Sequence, residues 1–266
     1  MSVDLLLQFP LYGCDVIAIY DCRVNKFPEL YNFTNGQKRI RKATLKHQNR
    51  AVKKCSAIIT DSSTACGEIL DIYGSFDKPI NVMYCGWQHL SLIEEDKTII
   101  DRLNLTEGKY YFSLGSRFPH KNIKWINCAA QKHPDEMFVV SGKNMGAYEY
   151  EGEQHSNMIF TGRLSDKEIK ALMHYCKAFI QPSIYEGFGM PPLEAMSVGA
   201  DCIISDIPVF REVYEDSVWY FDPYDYENIN IDSIMSKAKK DSKEILDKYS
   251  WEKSARKLYE VLKSLQ

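Results

Sequence analysis

The chain has eight cysteines (14, 22, 55, 66, 85, 128, 176 and 202) but no Cys-x-x-Cys pair among them. Scattered thiols of this kind read as reduced cysteines of a cytosolic protein, not as a disulfide framework or a zinc site. The opening stretch, Met1 to Gly13, is apolar but lacks a basic n-region and is interrupted by Pro10 and Gly13, so it does not read as a signal peptide. No run approaches the roughly 18 apolar residues of a membrane span. Asp-x-Asp is missing from every loop expected at a strand end, and the histidines do not cluster with Asp, Glu or Cys at metal-ligand spacing. Neither a metal nor a cofactor is therefore expected. A formal charge of −3 gives no reason to expect nucleic acid, and there is no internal repeat or low-complexity segment. What remains is ordinary for a soluble globular protein: 266 residues, 45% hydrophobic and 26% charged, enough for one large or two modest domains.

Short apolar strands alternate with helical patterns, which predicts an α/β fold with parallel sheets and crossover helices. Strands are expected near 3–8, 16–20, 57–60 and 80–84, with helices at about 36–55 and 63–73. A second series has strands near 110–114, 137–141, 158–161, 178–181, 201–204 and 218–221, with helices near 121–132, 166–175, 191–199 and 208–214. Two further helices, about 229–247 and 250–265, close the chain. The charged, weakly periodic stretch 91–109 separates the series. This predicts a lobe over 1–90, a second over 91–249, and a final helix over 250–266 that packs back on the first.

The most informative stretch is Tyr185 to Gly199, Y-E-G-F-G-M-P-P-L-E-A-M-S-V-G. It follows the buried strand Ala178 to Gln181 and leads into a helix, so it lies at the carboxyl end of a strand, where open α/β sheets bind ligands. Gly187 and Gly189 allow the backbone close to a ligand. Pro191 or Pro192 suits a first helical turn. The positive end of that helix favours an anion such as a phosphate. Glu186 and Glu194, one on each side of the turn, suit hydroxyl recognition. A loop with both kinds of partner fits a nucleotide-sugar better than a bare nucleotide. Upstream, Gly115-Ser116 after a strand forms a tight turn whose N–H groups can meet oxygens, and Lys121 is a compact charge able to offset a departing diphosphate. The other reading of that turn is a solvent-exposed connection with ordinary surface charges.

Four segments together resemble the retaining glycosyltransferases of family 4, which have the GT-B fold. Glu186 to Glu194 is similar to the family's Glu-x7-Glu signature; Tyr110 to Asn122 resembles its glycine-rich turn ending in Lys-Asn; Phe160 to Ile169 (F-T-G-R-L-S-D-K-E-I) resembles its segment beside the base; and Tyr249 to Ala255 resembles the start of its final helix. The resemblance covers roughly 55–266 and leaves the N-terminal lobe short of its usual start by roughly a hundred residues. It implies transfer of a hexose from a nucleoside-diphosphate sugar, without a metal, to a hydroxyl of a glycan or lipid-linked acceptor, in bacterial capsule, lipopolysaccharide or other surface polysaccharide synthesis. Glu186 would hold hydroxyls of the transferred sugar, Gly187, Phe188, Gly189 and Met190 would offer backbone to sugar or phosphate, and Glu194 would bind the ribose. Gly115, Ser116, Arg117 and Lys121 would hold the diphosphate. The family's arginine directly follows its glycine, whereas Ser116 holds that place here and Arg117 comes one residue later. The backbone around Leu164 would read the base edge.

Tyr20, at the end of the strand Val16 to Tyr20, stands where the family commonly has a histidine beside the reacting sugar. A phenol hydrogen-bonds but does not titrate near neutral pH. The swap and the short first lobe admit a second reading, a nucleotide-sugar-binding subunit that awaits a partner chain. A retaining glycosidase built on Glu186 and Glu194 would leave Lys121 and the prolines without purpose. Residues 37–54 carry eight Lys and Arg and would let a cytoplasmic enzyme rest on anionic headgroups at the inner face of the membrane; a solvated helix face is the plainer alternative. His89, after the strand at 80–84, would line a cleft or simply pack.

Overall fold

The computed structural model describes residues 3–4, 15–28, 35–75, 77–115, 118–143 and 155–266. These fall into two compact units: Met1–Cys85 with Glu186–Phe188 and Ser250–Gln266, and Gly86–Tyr185 with Gly189–Tyr249.

The first unit holds a parallel sheet of order β1-β2-β3-β4, formed by Val3–Asp4, Val16–Ala18, Ala57–Thr60 and Ile80–Val82. Val16 pairs with Ala57 and Ile58 with Ile80. Successive side chains leave a strand on opposite faces, and here both faces are covered, which explains why β2 and β3 are apolar without alternation. On one face Ile17, Ile19 and Ile58 pack with Ala51 and Val52 of α2 (Asn35–Lys54) and Ile69 of α3 (Ser63–Tyr73); a four-residue helix, α1 (Arg23–Lys26), precedes them. On the other, Val16, Ala18, Ala57 and Ile59 pack with Val261 and the half-buried Leu258, Leu262 and Leu265 at the end of the chain. Burying one such valine contributes about 1.5–3 kcal/mol, so the last helix, α11 (Trp251–Ser264), is part of this unit's core. Of the strand expected over 3–8, residues 5–8 lie outside the described residues.

The second unit holds six parallel strands in the order β10-β9-β8-β5-β6-β7. They are β5 (Tyr110–Leu114), β6 (Met137–Ser141), β7 (Met158–Gly162), β8 (Ala178–Gln181), β9 (Cys202–Ser205) and β10 (Trp219–Phe221). One face of the sheet is packed by α5 (Ile123–Lys132), whose Trp125 stacks on Phe221 with centroids 3.9 Å apart, and by Ile231 of α9 (Ile231–Met235). Three more helices belong to this unit: α6 (Asp166–His174), α7 (Met190–Ser197) and α8 (Pro208–Tyr214). A short helix, α4 (Thr98–Arg102), occupies the stretch 91–109 that shows little periodicity in the sequence.

The single helix expected over 229–247 is instead two, α9 and α10 (Lys243–Lys248). Between them the backbone bonds outward: Lys237 O accepts from Trp219 Nε1 (2.8 Å), Lys240 N donates to Asp216 O (2.8 Å), and Asp241 O accepts from Ser217 Oγ (3.1 Å). Lys239 Nζ adds an ion pair to Asp201 at 2.7 Å. Groups that a continuous helix would satisfy internally are used against the edge of the sheet. Among the described residues no helix is long and apolar enough to cross a membrane.

Candidate functional site

The second sheet reverses its winding at β5. The chain runs from β5 to β6 and β7 on one side, then returns to lay β8, β9 and β10 on the other. The connections leaving β5 and β8 therefore start at the switch point of the strand order, at the strands' carboxyl ends, where such sheets hold ligands.

Gly115 directly follows β5, and its N–H donates to Ser141 O at 2.9 Å. Ser116 and Arg117 lie outside the described residues. Pro119–Lys121 form one 3-10 turn, and Asn122 takes the left-handed conformation (φ 53°, ψ 47°) that starts α5. Asn122 is fixed from the far side of the sheet: its Nδ2 donates to Pro223 O at 2.8 Å, and its Oδ1 accepts from Tyr226 at 3.1 Å. This turn lays the stem of Lys121 over Gly115, its Cδ 3.4 Å from where a Cβ would stand. The two switch-point loops are tied directly, because Ile184 N donates to His120 O at 2.9 Å. Gln181 Nε2 donates to Ser183 Oγ at 2.8 Å and stiffens the start of the second loop.

The start of α7 is built for close approach. Gly189 caps it at φ 82°, ψ 63°, and a Cβ there would stand 2.3 Å from Cε1 of Phe210 on α8. Of the four N–H groups that open an α-helix, two are missing at Pro191 and Pro192. Gly189 and Met190 hold the other two positions. The next N–H, of Leu193, donates to Tyr214 Oη at 3.1 Å, and the same hydroxyl donates to Gly189 O. The helix thus offers an anion fewer donors than its position alone suggests, and the cation at Lys121 matters correspondingly more.

One turn along α7, Glu194 is nearly buried, its side chain 13% exposed, and its Oε1 lies 3.0 Å from Nε2 of the 41% exposed His89. Burial pushes the Glu194 carboxyl up from its ordinary value, and His89 opposes that shift. His89 sits in a 3-10 turn, Gln88–Leu92, that is held from three directions. Trp87 Nε1 donates to Leu246 O (3.0 Å), Gln88 Nε2 to Tyr249 O (3.2 Å), and Lys170 Nζ to Leu90 O and Ile93 O (3.1 and 2.6 Å). The sequence places His89 after a strand but carries no sign of its partner, 105 positions away.

The connection after β7 carries the third feature. Gly162 O accepts from Gly142 N (2.9 Å) and Ser141 Oγ (3.1 Å), and Leu164 is half-buried beside it in the chain. Ser165 and Glu168 then form a reciprocal capping box, with Ser165 N to Glu168 Oε2 at 2.7 Å. The N–H of Ser165, the Arg102 guanidinium and the Ser165 hydroxyl hold the Glu168 carboxyl down at about 2.

The remaining candidates belong to the first unit. Gly187 meets the end of the first sheet so closely that a Cβ would stand 2.2 Å from Tyr20 O, and its own carbonyl accepts from Ser62 Oγ at 2.7 Å. Ser62 also caps α3 through Ala65 N at 3.0 Å. Phe188 lies with its ring 6.3 Å from that of Tyr84. Burial, then the charge of Asp61, then Cys85, push the Tyr20 phenol up, so it stays neutral across physiological pH. Among the described residues no three His, Cys, Asp or Glu side chains gather as a metal-binding group.

Residues 95–250, more than half of the chain, match the family model described as glycosyl transferases group 1. The chain belongs to that family. It is 29% identical over 223 residues to the O-antigen chain mannosyltransferase RfbU of Salmonella typhimurium, covering 81% of this chain and 59% of that protein. It is 30% identical over 206 residues to the serotype-specific mannosyltransferase WbdA of Escherichia coli, covering 70% of this chain and 25% of that protein. The chain thus spans less than two thirds of the length of these relatives. Its fold matches that of a sucrose-phosphate synthase from Thermosynechococcus elongatus, with a TM-score of 0.72, 17% identity, and 94% of this chain and 67% of that one covered. It also matches Anabaena HepE, solved with UDP and glucose, with a TM-score of 0.70, 17% identity, and 94% and 71% covered. Both parallel-sheet units are accordingly of the GT-B type.

Proposed function

We propose that this protein is a retaining glycosyltransferase that moves a hexose from a nucleoside-diphosphate sugar to a hydroxyl of a glycan or lipid-linked acceptor in surface polysaccharide assembly. The observation that carries the reading is the switch point of the second sheet, where the Gly115 turn places Lys121 and α7 presents Met190 and Glu194. Lys121 offsets the charge that grows on the departing diphosphate, aided by the Met190 N–H and, by family resemblance, by Ser116 and Arg117. Glu194 accepts from the ribose hydroxyls, the backbone at Leu164 meets the base, and Glu186 with the Gly187–Gly189 backbone holds the transferred sugar. The leaving oxygen takes the bond's electron pair and then the acceptor's proton, which leaves Tyr20 a hydrogen-bonding role that suits its neutral phenol. No metal is assigned a part, so a chelator should leave the rate unchanged. The names of the relatives make mannose the first sugar to test.

The exposed cations of α2 would hold the protein to anionic headgroups near a lipid-linked acceptor; equal binding to neutral and anionic vesicles would sink that part. The direct test of the reaction incubates the protein with a nucleoside-diphosphate mannose and a glycan acceptor and follows the product's anomeric proton. Transfer with the donor's configuration is expected, and Glu186→Ala should abolish it while changing nucleoside-diphosphate affinity less than about twofold. An inverted product would overturn the mechanism. Binding without transfer would favour the partner-dependent subunit that the phenol at Tyr20 suggests.

A further inference from the structure

We infer that His89 is a positioning residue that holds the Glu194 carboxylate in its acceptor form and orientation for the ribose diol. The inference rests on the donor-site reading above. Its basis is geometric. Glu194 projects from α7 into a setting that leaves only 13% of its side chain exposed, and His89 Nε2 meets one of its two oxygens, Oε1, at 3.0 Å. A carboxylate that binds a vicinal diol must accept two hydroxyl protons, which an ionised group can do and a protonated one does poorly. Desolvation works against the ionised form. His89 favours ionisation of Glu194, and Asp166 at the start of α6 opposes it. The pair therefore decides whether this site accepts or donates. Fixing Oε1 from one side also leaves Oε2 as the oxygen whose direction a ligand can use.

His89 is well placed for such a role because its turn is itself immobilised. Trp87, Gln88 and Leu90 are each anchored to backbone or to Lys170, so the imidazole is carried on a fixed support. At 41% exposure it contributes little packing, which makes it a poor candidate for a purely structural histidine.

The experiment measures affinity of the full chain for the preferred nucleoside diphosphate and for its 2′,3′-dideoxy analogue between pH 5.5 and 8.5. The proteins are the wild type, His89→Phe, His89→Gln and Glu194→Gln. The ratio of the two affinities isolates the diol. His89→Phe should cut that ratio about tenfold near pH 6 and recover it as pH rises, because the unsupported carboxyl ionises later. His89→Gln, which keeps an N–H donor, should retain the ratio within about twofold. If the ratio is unchanged in His89→Phe while Glu194→Gln destroys it, the role of His89 is refuted and the donor reading stands. If the wild type itself does not distinguish the two ligands, the donor reading of Glu194 fails first. An equal, pH-independent loss for both ligands in His89→Phe would show a packing role and overturn the inference.

Discussion

Gly187 and Gly189 stand two positions apart, and each is excluded from carrying a side chain by a different neighbour. At Gly187 the obstacle is backbone, the Tyr20 carbonyl 2.2 Å from a Cβ position; at Gly189 it is the Phe210 ring at 2.3 Å, combined with φ +82°. The sequence leads one to expect a ligand beside these loop glycines; the ring and the carbonyl that they approach lie far off in the chain and leave no local trace. The same holds for Glu194, which its spacing to Glu186 makes a candidate, while nothing in the sequence points to its partner His89. Gly189→Ala must move Phe210 or abandon the left-handed cap. It should lower stability by about 1–3 kcal/mol, read as a lower midpoint of urea unfolding. An unchanged midpoint would mean that the α7–α8 contact is looser than drawn.

Elements were most legible where local signals agree. Ser165, Asp166 and Glu168 before an apolar periodic run announce a helix start, and α6 begins there with both halves of the capping box formed. The central strands of both sheets were readable from short β-branched and aromatic runs. The segment 229–247 was not, since its periodicity suits a helix while the carbonyls of Lys237 and Asp241 are taken by Trp219 and Ser217. Tertiary bonds decide there, and sequence pattern cannot show them. The capping box also carries a pH signature. Glu168 is held at about 2 in the folded chain, below the roughly 4.3 of a free glutamate. Its contribution is therefore complete above about pH 4.3 and is lost as pH falls toward 2. The difference in urea midpoint between wild type and Glu168→Gln should be full at pH 6 and shrink steadily below pH 4. A difference independent of pH would show that the bonds at Ser165 and Arg102 do not depend on the charge.

For the molecule as a whole, charge is divided unevenly. The helix α2 holds eight of the 33 Lys and Arg and none of the 36 Asp and Glu, which leaves 25 cations against 36 anions elsewhere. Lys38, Lys42, Lys46, Arg50 and Lys54 are all exposed at four-residue spacing and form one row about 24 Å long. Like charges so spaced weaken a helix slightly, so burial of Ala51 and Val52 must offset that cost. The second unit is the part that the family model covers and that carries the switch point, and its ability to bind a nucleoside diphosphate is the central claim. The measurement that tests it most directly is thermal unfolding of the full chain with UDP, GDP, ADP, CMP and dTDP in turn. One diphosphate should stabilise the protein by about 2.7 kcal/mol at a hundredfold excess over its dissociation constant, and Lys121→Ala should remove most of that gain while leaving the response to the free nucleoside. A cooperatively folded sample that responds to none of them would contradict the account.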